Sequence, residues 1–123
     1  MLFRLDFQSG IPIYKQIRDQ VVLAVADGQL LPGERLPTTR ALAEDAGVNV
    51  MTVSKAYQRL KSEGYLVTDR RNGAVVCAPP GSKRLSDLQL SQLRLLAGEA
   101  KAAGLSQEEF LAQCQAAFAE MEG

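Results

Sequence analysis

Residues 37–64 read PTTRALAEDAGVNVMTVSKAYQRLKSEG, and the fold is decided here. Thr38 is a side chain suited to capping a helix N-terminus. Leu42 and Ala43 supply the inner face of a short helix through Ala46, and Gly47 ends it. Asn49 is a second N-cap. From it Val53, Ala56, Tyr57 and Leu60 recur at helical spacing to about Glu63, with Gly64 as the stop. A short helix, a tight glycine turn and a longer helix with one apolar stripe make a helix-turn-helix. The stripe forces the opposite side of the second helix outward. Near its N-terminus that side offers Val50, Met51, Ser54, Lys55 and Gln58.

Upstream, Ser9-Gly10-Ile11-Pro12 opens another helix, with Pro12 in the first turn where a missing N–H costs nothing. Ile13, Ile17, Val21, Ala24 and Val25 follow at helical spacing, and Gly28 closes it. Leu31 to Pro37 is a turn, with a short strand expected at Arg35-Leu36. Downstream, Tyr65–Thr68 and Ala74–Cys77 read as two strands. Asn72-Gly73 between them is a strong hairpin signal, since both residue types accept positive φ. Arg70 and Arg71 fall at the hairpin tip.

Pro79-Pro80-Gly81-Ser82 reads as a hinge. Beyond it the spacing predicts a helix over about Lys83–Ala103, with Leu85, Leu88, Leu93, Leu96, Ala97 and Ala100 inside. Gly104 breaks it. Ser106 and Glu109 form a capping box, and Leu105 can staple against Phe110. Phe110, Leu111, Cys114, Ala117, Phe118 and Met121 line one face of a last helix. The expected fold is therefore α+β, mostly α. A winged helix-turn-helix of three helices and a β-hairpin occupies residues 1–78. Residues 79–82 are the hinge, and a two-helix dimerisation tail covers 83–123.

The 123 residues, 46% of them hydrophobic, suffice for one small core and an appendage that needs a partner. No window approaches the roughly 18 uninterrupted apolar residues of a membrane span. The first residues do not resemble a secretory signal, so the cytoplasm is expected. There is no histidine, which removes the commonest general base and metal ligand. Cys77 and Cys114 are far apart in apolar surroundings and read as two buried free thiols. No catalytic residue, metal site or cofactor is expected. Residues 1–84 hold 12 Lys and Arg against 8 Asp and Glu, whereas residues 85–123 hold 2 against 6. A polyanion would meet the first part.

Three helices followed by a hairpin point to double-stranded DNA as partner. The first turns of the outward helix suit base edges and phosphates, and the hairpin arginines suit backbone or minor groove. Lys55 alone reads as solvated helix surface, and Arg70-Arg71 alone as a soluble turn. Their conjunction in one geometry favours the interface. A protein-interaction module whose basic face docks an acidic partner is the competing reading.

The run Pro32-Gly33-Glu34-Arg35-Leu36-Pro37-Thr38-Thr39-Arg40-Ala41-Leu42-Ala43, then Gly47-Val48-Asn49, Thr52 to Leu60, and Glu63-Gly64-Tyr65-Leu66, resembles the DNA-binding domain of GntR-type bacterial regulators. Leu5-Asp6, Ser9, Pro12-Ile13-Tyr14, Gln16-Ile17 and the short tail resemble its YtrA subfamily. The resemblance implies a dimeric transcriptional regulator on an inverted-repeat operator, with repression as the expected sign and a neighbouring transporter operon as target. It implies DNA contact for Arg40, a capping and phosphate-touching role for Thr38, polar contacts from Asn49 and Thr52, and a wing glycine at Gly73. The expected DNA-binding set is thus Thr38, Arg40, Asn49, Val50, Met51, Thr52, Ser54, Lys55, Arg70, Arg71, Asn72 and Gly73. The expected homodimer contacts are Leu93, Leu96, Phe110, Cys114 and Phe118. An unidentified small-molecule effector, which no residue specifies, would be a further partner. The sequence departs from the family's usual residues at Val50, Met51, Arg71 and Asn72. Apolar residues at 50 and 51 suit a thymine methyl and make no bidentate base bonds.

Overall fold

The computed structural model describes residues 3–71, 73–79, 81 and 84–121. In chain order these form α1 (Ile13–Ala26), α2 (Thr39–Ala46), α3 (Val50–Ser62), β1 (Leu66–Asp69), β2 (Gly73–Val76), α4 (Asp87–Ala102) and α5 (Gln107–Ala119). They fall into two compact units, one running to residue 80 and the other covering Gly81–Met121. No helix among the described residues is long and apolar enough to cross a membrane.

In the first unit the capping chemistry sets the helix starts. Pro12 stands at the N-cap of α1, one residue before its expected place, and its carbonyl accepts from the N–H groups of Lys15 and Gln16. Thr38 Oγ1 accepts from the Ala41 N–H at 3.0 Å, and Asn49 Oδ1 accepts from the Met51 N–H at 2.8 Å. Gly47 closes α2 in the left-handed region, at φ 70°, where a side chain is strained. Ile17, Val21 and Ala24 of α1, Leu42 and Ala43 of α2, and Val53, Ala56, Tyr57 and Leu60 of α3 share one core with Leu30, Leu36, Leu66, Ala74 and Val76. Helix α3 packs against α1, α2 and β1.

Two polar devices tie this unit together. Gln16 is buried, yet each end of its amide is satisfied. Its Oε1 accepts from the Asp6 N–H at 2.8 Å, and its Nε2 donates to the carbonyls of Asp6 and Ile11. One turn on, Gln20 repeats the arrangement with both backbone groups of Arg4. The N-terminal arm is thereby laid along α1, where Phe3 and Leu5 pack on the core. The second device is a fork: the Arg18 guanidinium donates to both carboxylate oxygens of Glu63, at 3.0 and 2.8 Å, and joins α1 to the end of α3.

The hairpin differs in detail from the expected one. β1 starts and ends one residue later than Tyr65–Thr68, and β2 one residue earlier than Ala74–Cys77. They pair antiparallel, with Asp69 opposite Gly73. Residues 70–72 therefore connect the strands, in place of the expected 69–73. The cause is local: Asp69 Oδ1 accepts from the Arg71 N–H at 2.8 Å, and Gly73 takes φ 70° as the strand resumes. Asn72 lies outside the described residues. The expected strand at Arg35-Leu36 is a bridge of Arg35 to Val75, flanked by bonds from the Leu36 N–H to the Ala74 carbonyl and from the Val76 N–H to the Glu34 carbonyl.

The second unit is a two-helix hairpin. Pro80, Ser82 and Lys83, part of the expected hinge and helix start, lie outside the described residues. Helix α4 begins at Asp87 because Ser86 and Gln89 close a capping box, so Leu85 precedes the helix and is exposed. The expected box at Ser106 and Glu109 is present. Hydrogen bonds from the Ser106 backbone and hydroxyl hold the Glu109 carboxyl below its usual range. No described residue of α4 or α5 is buried within the chain, which corrects the expectation that Leu88, Leu93, Leu96, Ala97 and Ala100 lie inside. Two helices share one line of contact, and it half-covers only Leu90, Ala97, Ala100 and Phe110 among their apolar residues, with Leu105 in the turn between them. Cys114 is likewise exposed, not buried. Cys77 is half-buried, with its thiol 3.0 Å from the Gly64 carbonyl.

Gly73 has open space around it, so a side chain there meets only its own backbone strain. Gly73→Val is expected to cost about 1–2 kcal/mol in thermal or urea unfolding. Gly73→Asn, which tolerates the left-handed region, should recover most of it. Unchanged melting in the valine variant would show that this φ is not required.

Candidate nucleic-acid interface

The outward side of α3 begins with two apolar residues. Val50 is 41% exposed and Met51 75% exposed, in the first turn of the helix. Thr52 and Ser54 are half-buried, while Lys55 and Gln58 are exposed. Asn49 precedes them with its carbonyl oxygen committed to the cap. The N-terminal amides and dipole of α3 and α2 favour negative charge at this end.

Between α3 and the hairpin runs a groove of about 320 Å³, lined by Thr38, Thr39, Ser54, Tyr57, Gln58, Lys61, Thr68, Gly73 and Ala74. Its floor is fixed by Tyr57, whose hydroxyl donates to the Pro37 carbonyl at 2.7 Å. Burial pushes that phenol's pKa up, so it stays a donor. One wall is joined to the other by Lys61, whose Nζ donates to Thr68 Oγ1 at 3.0 Å. Hydroxyls, an amide and an ammonium around a narrow trough suit the oxygens of an extended phosphate chain.

Of the residues expected at the interface, Thr38, Ser54 and Gly73 meet in this groove. Asn49, Val50, Met51 and Thr52 sit together at the start of α3. Arg40 is exposed in the first turn of α2 and makes no ion pair among the described residues. Arg70 and Arg71 are exposed beyond β1. Lys55 lies elsewhere, with its Nζ 4.1 Å from the ring centre of Tyr14 on α1. Two other cations of this unit are internally compensated. Arg18 pairs with Glu63 and Asp19, and those hydrogen bonds, against the desolvation, stabilise its charged form. Arg59 faces Glu63 one turn along α3 at 3.6 Å.

Thr39, Lys61 and Thr68 line the groove and were not singled out by the sequence. A signal existed for Lys61: positions 50, 54, 57 and 61 form one ridge of α3. In the second unit Leu93 and Leu96 are exposed on α4. On α5 Cys114 and Phe118 are exposed and Phe110 is half-buried.

Residues 13–76 match the family described as bacterial regulatory proteins, gntR family. The chain belongs to the GntR family. Among GntR relatives, YhcF of Bacillus subtilis, an uncharacterised HTH-type regulator, is 33% identical over 108 residues, or 86% of this chain and 89% of that protein. The repressor YtrA of the same organism is 39% identical over 75 residues, covering 61% of this chain and 58% of YtrA. Rv1152 of Mycobacterium tuberculosis is 42% identical over 73 residues, and the match spans 60% of its length. Among solved structures, a transcriptional antiterminator from Listeria monocytogenes aligns over all of this chain and 94% of its own, with TM-score 0.81 and 28% identity. YtrA of Sulfolobus acidocaldarius, a GntR-family transcription factor, covers 83% of this chain and 99% of its own, with TM-score 0.63 and 38% identity. The DNA-binding domain of AraR in complex with an operator covers 63% of this chain and 94% of its own, with TM-score 0.52 and 27% identity. As a GntR protein with these relatives, the chain is a DNA-binding transcriptional regulator of winged-helix fold with C-terminal helices, similar within the family to YtrA.

The Tyr57 hydroxyl bond fixes the groove floor and tests its construction. Tyr57→Phe removes that bond while keeping the ring in the core. It is expected to destabilise the protein by about 1 kcal/mol in urea unfolding, the usual net worth of one hydrogen bond. An unchanged midpoint would mean that the Pro37 carbonyl finds another donor.

Proposed function

We propose that this GntR protein is a sequence-specific repressor that acts as a homodimer on an inverted-repeat operator, and not as an enzyme. The carrying observation is the paired geometry of α3 and hairpin, with a hydroxyl- and lysine-lined groove between them. In this reading residues 1–78 bind DNA. Helix α3 enters the major groove with Asn49, Val50, Met51, Thr52 and Ser54 foremost. Thr38 and Arg40 meet the backbone beside it, and Arg70, Arg71, Asn72 and Gly73 form a wing on the adjacent backbone or minor groove. Lys55 contributes charge from the rim. The repressor name of the B. subtilis relative supports the sign. A neighbouring transporter operon as target rests on the subfamily resemblance, and an effector ligand has no assigned residues.

Residues 83–123 are the dimerisation tail of this reading, with 79–82 as hinge. Support comes from the apolar faces that α4 and α5 leave to solvent, with Phe118 80% exposed. A two-helix hairpin has no further layer to cover them. A second copy would bury Leu93, Leu96, Phe110, Cys114 and Phe118 in a four-helix cluster. It would also set two recognition helices about one DNA turn apart, roughly 34–36 Å.

Two experiments test these parts separately. Arg40→Ala is expected to weaken operator binding by about 1–3 kcal/mol without change in melting, and Arg71→Ala to reduce the salt slope by roughly one counterion. Unchanged affinity and slope at matched salt would remove both residues from the interface. In sedimentation, the full chain should run as a dimer at micromolar concentration, and a chain ending at Ala78 as a monomer with far weaker DNA binding. A monomeric full chain, or a truncated chain that still dimerises, contradicts the tail assignment.

A further inference from the structure

We infer that Val50 and Met51 are the specificity-determining residues of the recognition helix, and that they read the 5-methyl groups of adjacent thymines. The inference rests on the DNA-binding reading above. The inward stripe of α3 is complete without these two residues, since Val53, Ala56, Tyr57 and Leu60 fill it. Val50 and Met51 instead present carbon and sulfur to solvent from the first turn, 41% and 75% exposed. That turn is the part of a recognition helix that reaches base edges.

Three polar side chains around them, those of Asn49, Thr38 and Lys55, are already engaged. Reading adenine through two hydrogen bonds requires both ends of an Asn amide. Asn49 has its oxygen on the Met51 N–H. Thr38 Oγ1 is on the Ala41 N–H, and the Lys55 ammonium lies over the Tyr14 ring. Much of what the first turn shows to solvent is therefore apolar. The one apolar group that B-DNA shows in its major groove is the thymine methyl. Consecutive residues on a helix diverge by about 100°, so Val50 and Met51 do not share one base, and in this reading each takes one of two neighbours. Val50 is stiff at χ1 and fixes one position. Met51, unbranched and polarisable, follows the other.

The test removes the methyl and nothing else. The full-length protein first selects duplexes from a pool with a random 30-base-pair centre. The enriched duplex is then resynthesised with deoxyuridine for thymidine at one position at a time, which keeps every base-pairing and hydrogen-bonding group. The expected result is a loss of roughly fourfold in affinity at two adjacent positions of each half-site, the value of one buried methyl. In Met51→Ala the deoxyuridine effect should vanish at one of these positions, and in Val50→Ala at the other, with melting unchanged in Met51→Ala. Equal affinity for every deoxyuridine duplex overturns the inference, as does a full deoxyuridine effect retained by both variants. A pool that yields no enriched sequence overturns the DNA-binding reading itself.

Discussion

Everything in the first unit depends on one constraint: α3 has a single face that can be buried. Val53, Ala56 and Leu60 are completely enclosed, and Tyr57 nearly so. Each large aliphatic side chain enclosed in this way contributes about 1.5–3 kcal/mol relative to exposure. Turning α3 by about 100° would move Leu60 into water and drive Lys55 or Arg59 toward the core, at a cost no surface contact offsets. The rotation of α3 is therefore fixed by apolar burial, and with it the identity of the residues that face outward. The Arg18–Glu63 fork adds a directional tie at the far end, so the N-terminal half of α3 projects from a rigid base.

The hairpin follows from the same core. Leu66 and Val76 are opposite each other across the strands and both point inward, which turns Val67 to solvent, while Thr68, on the face of Leu66, borders the groove. Lys61 spans from α3 to Thr68 across the groove. The groove is thus a consequence of packing: Tyr57 of the core forms its floor, and the rest of its polar lining comes from residues that the core did not use. The charge distribution agrees with this division, since residues 1–84 carry the basic surplus and residues 85–123 the acidic one.

Local chemistry was legible in the sequence, and non-local pairing was not. The caps at Thr38, Asn49 and Ser106, the stop at Gly47 and the stripe of α3 are written in adjacent residues, and they stand where they were read. The start of α4 was misplaced because Ser86 with Gln89 forms a box as good as Ser106 with Glu109, and the leucine spacing outweighed it. The hairpin connection is shorter than the expected 69–73 because Asp69 and Gly73 pair as the last rung of the ladder, which an Asn-Gly pair does not reveal. The burial of Gln16, the placement of Lys55 over Tyr14 and the bridge from Lys61 to Thr68 each join segments distant in sequence. No periodicity encodes them. The exposure of Cys114 and the tail leucines has a similar cause, since helical spacing marks an apolar face and is silent on what covers it.

The central claim is that the face α3 turns outward, with the groove and hairpin beside it, is the surface that meets DNA. Amide chemical-shift mapping of the isotopically labelled full chain, titrated with its selected duplex, tests this most directly. The account predicts that the largest changes cluster at residues 38–40, 49–58 and 68–74, with the core positions Ile17 and Val21 of α1 little altered. Changes concentrated on α4 and α5, or on the solvent side of α1, with residues 49–58 unmoved, would contradict it.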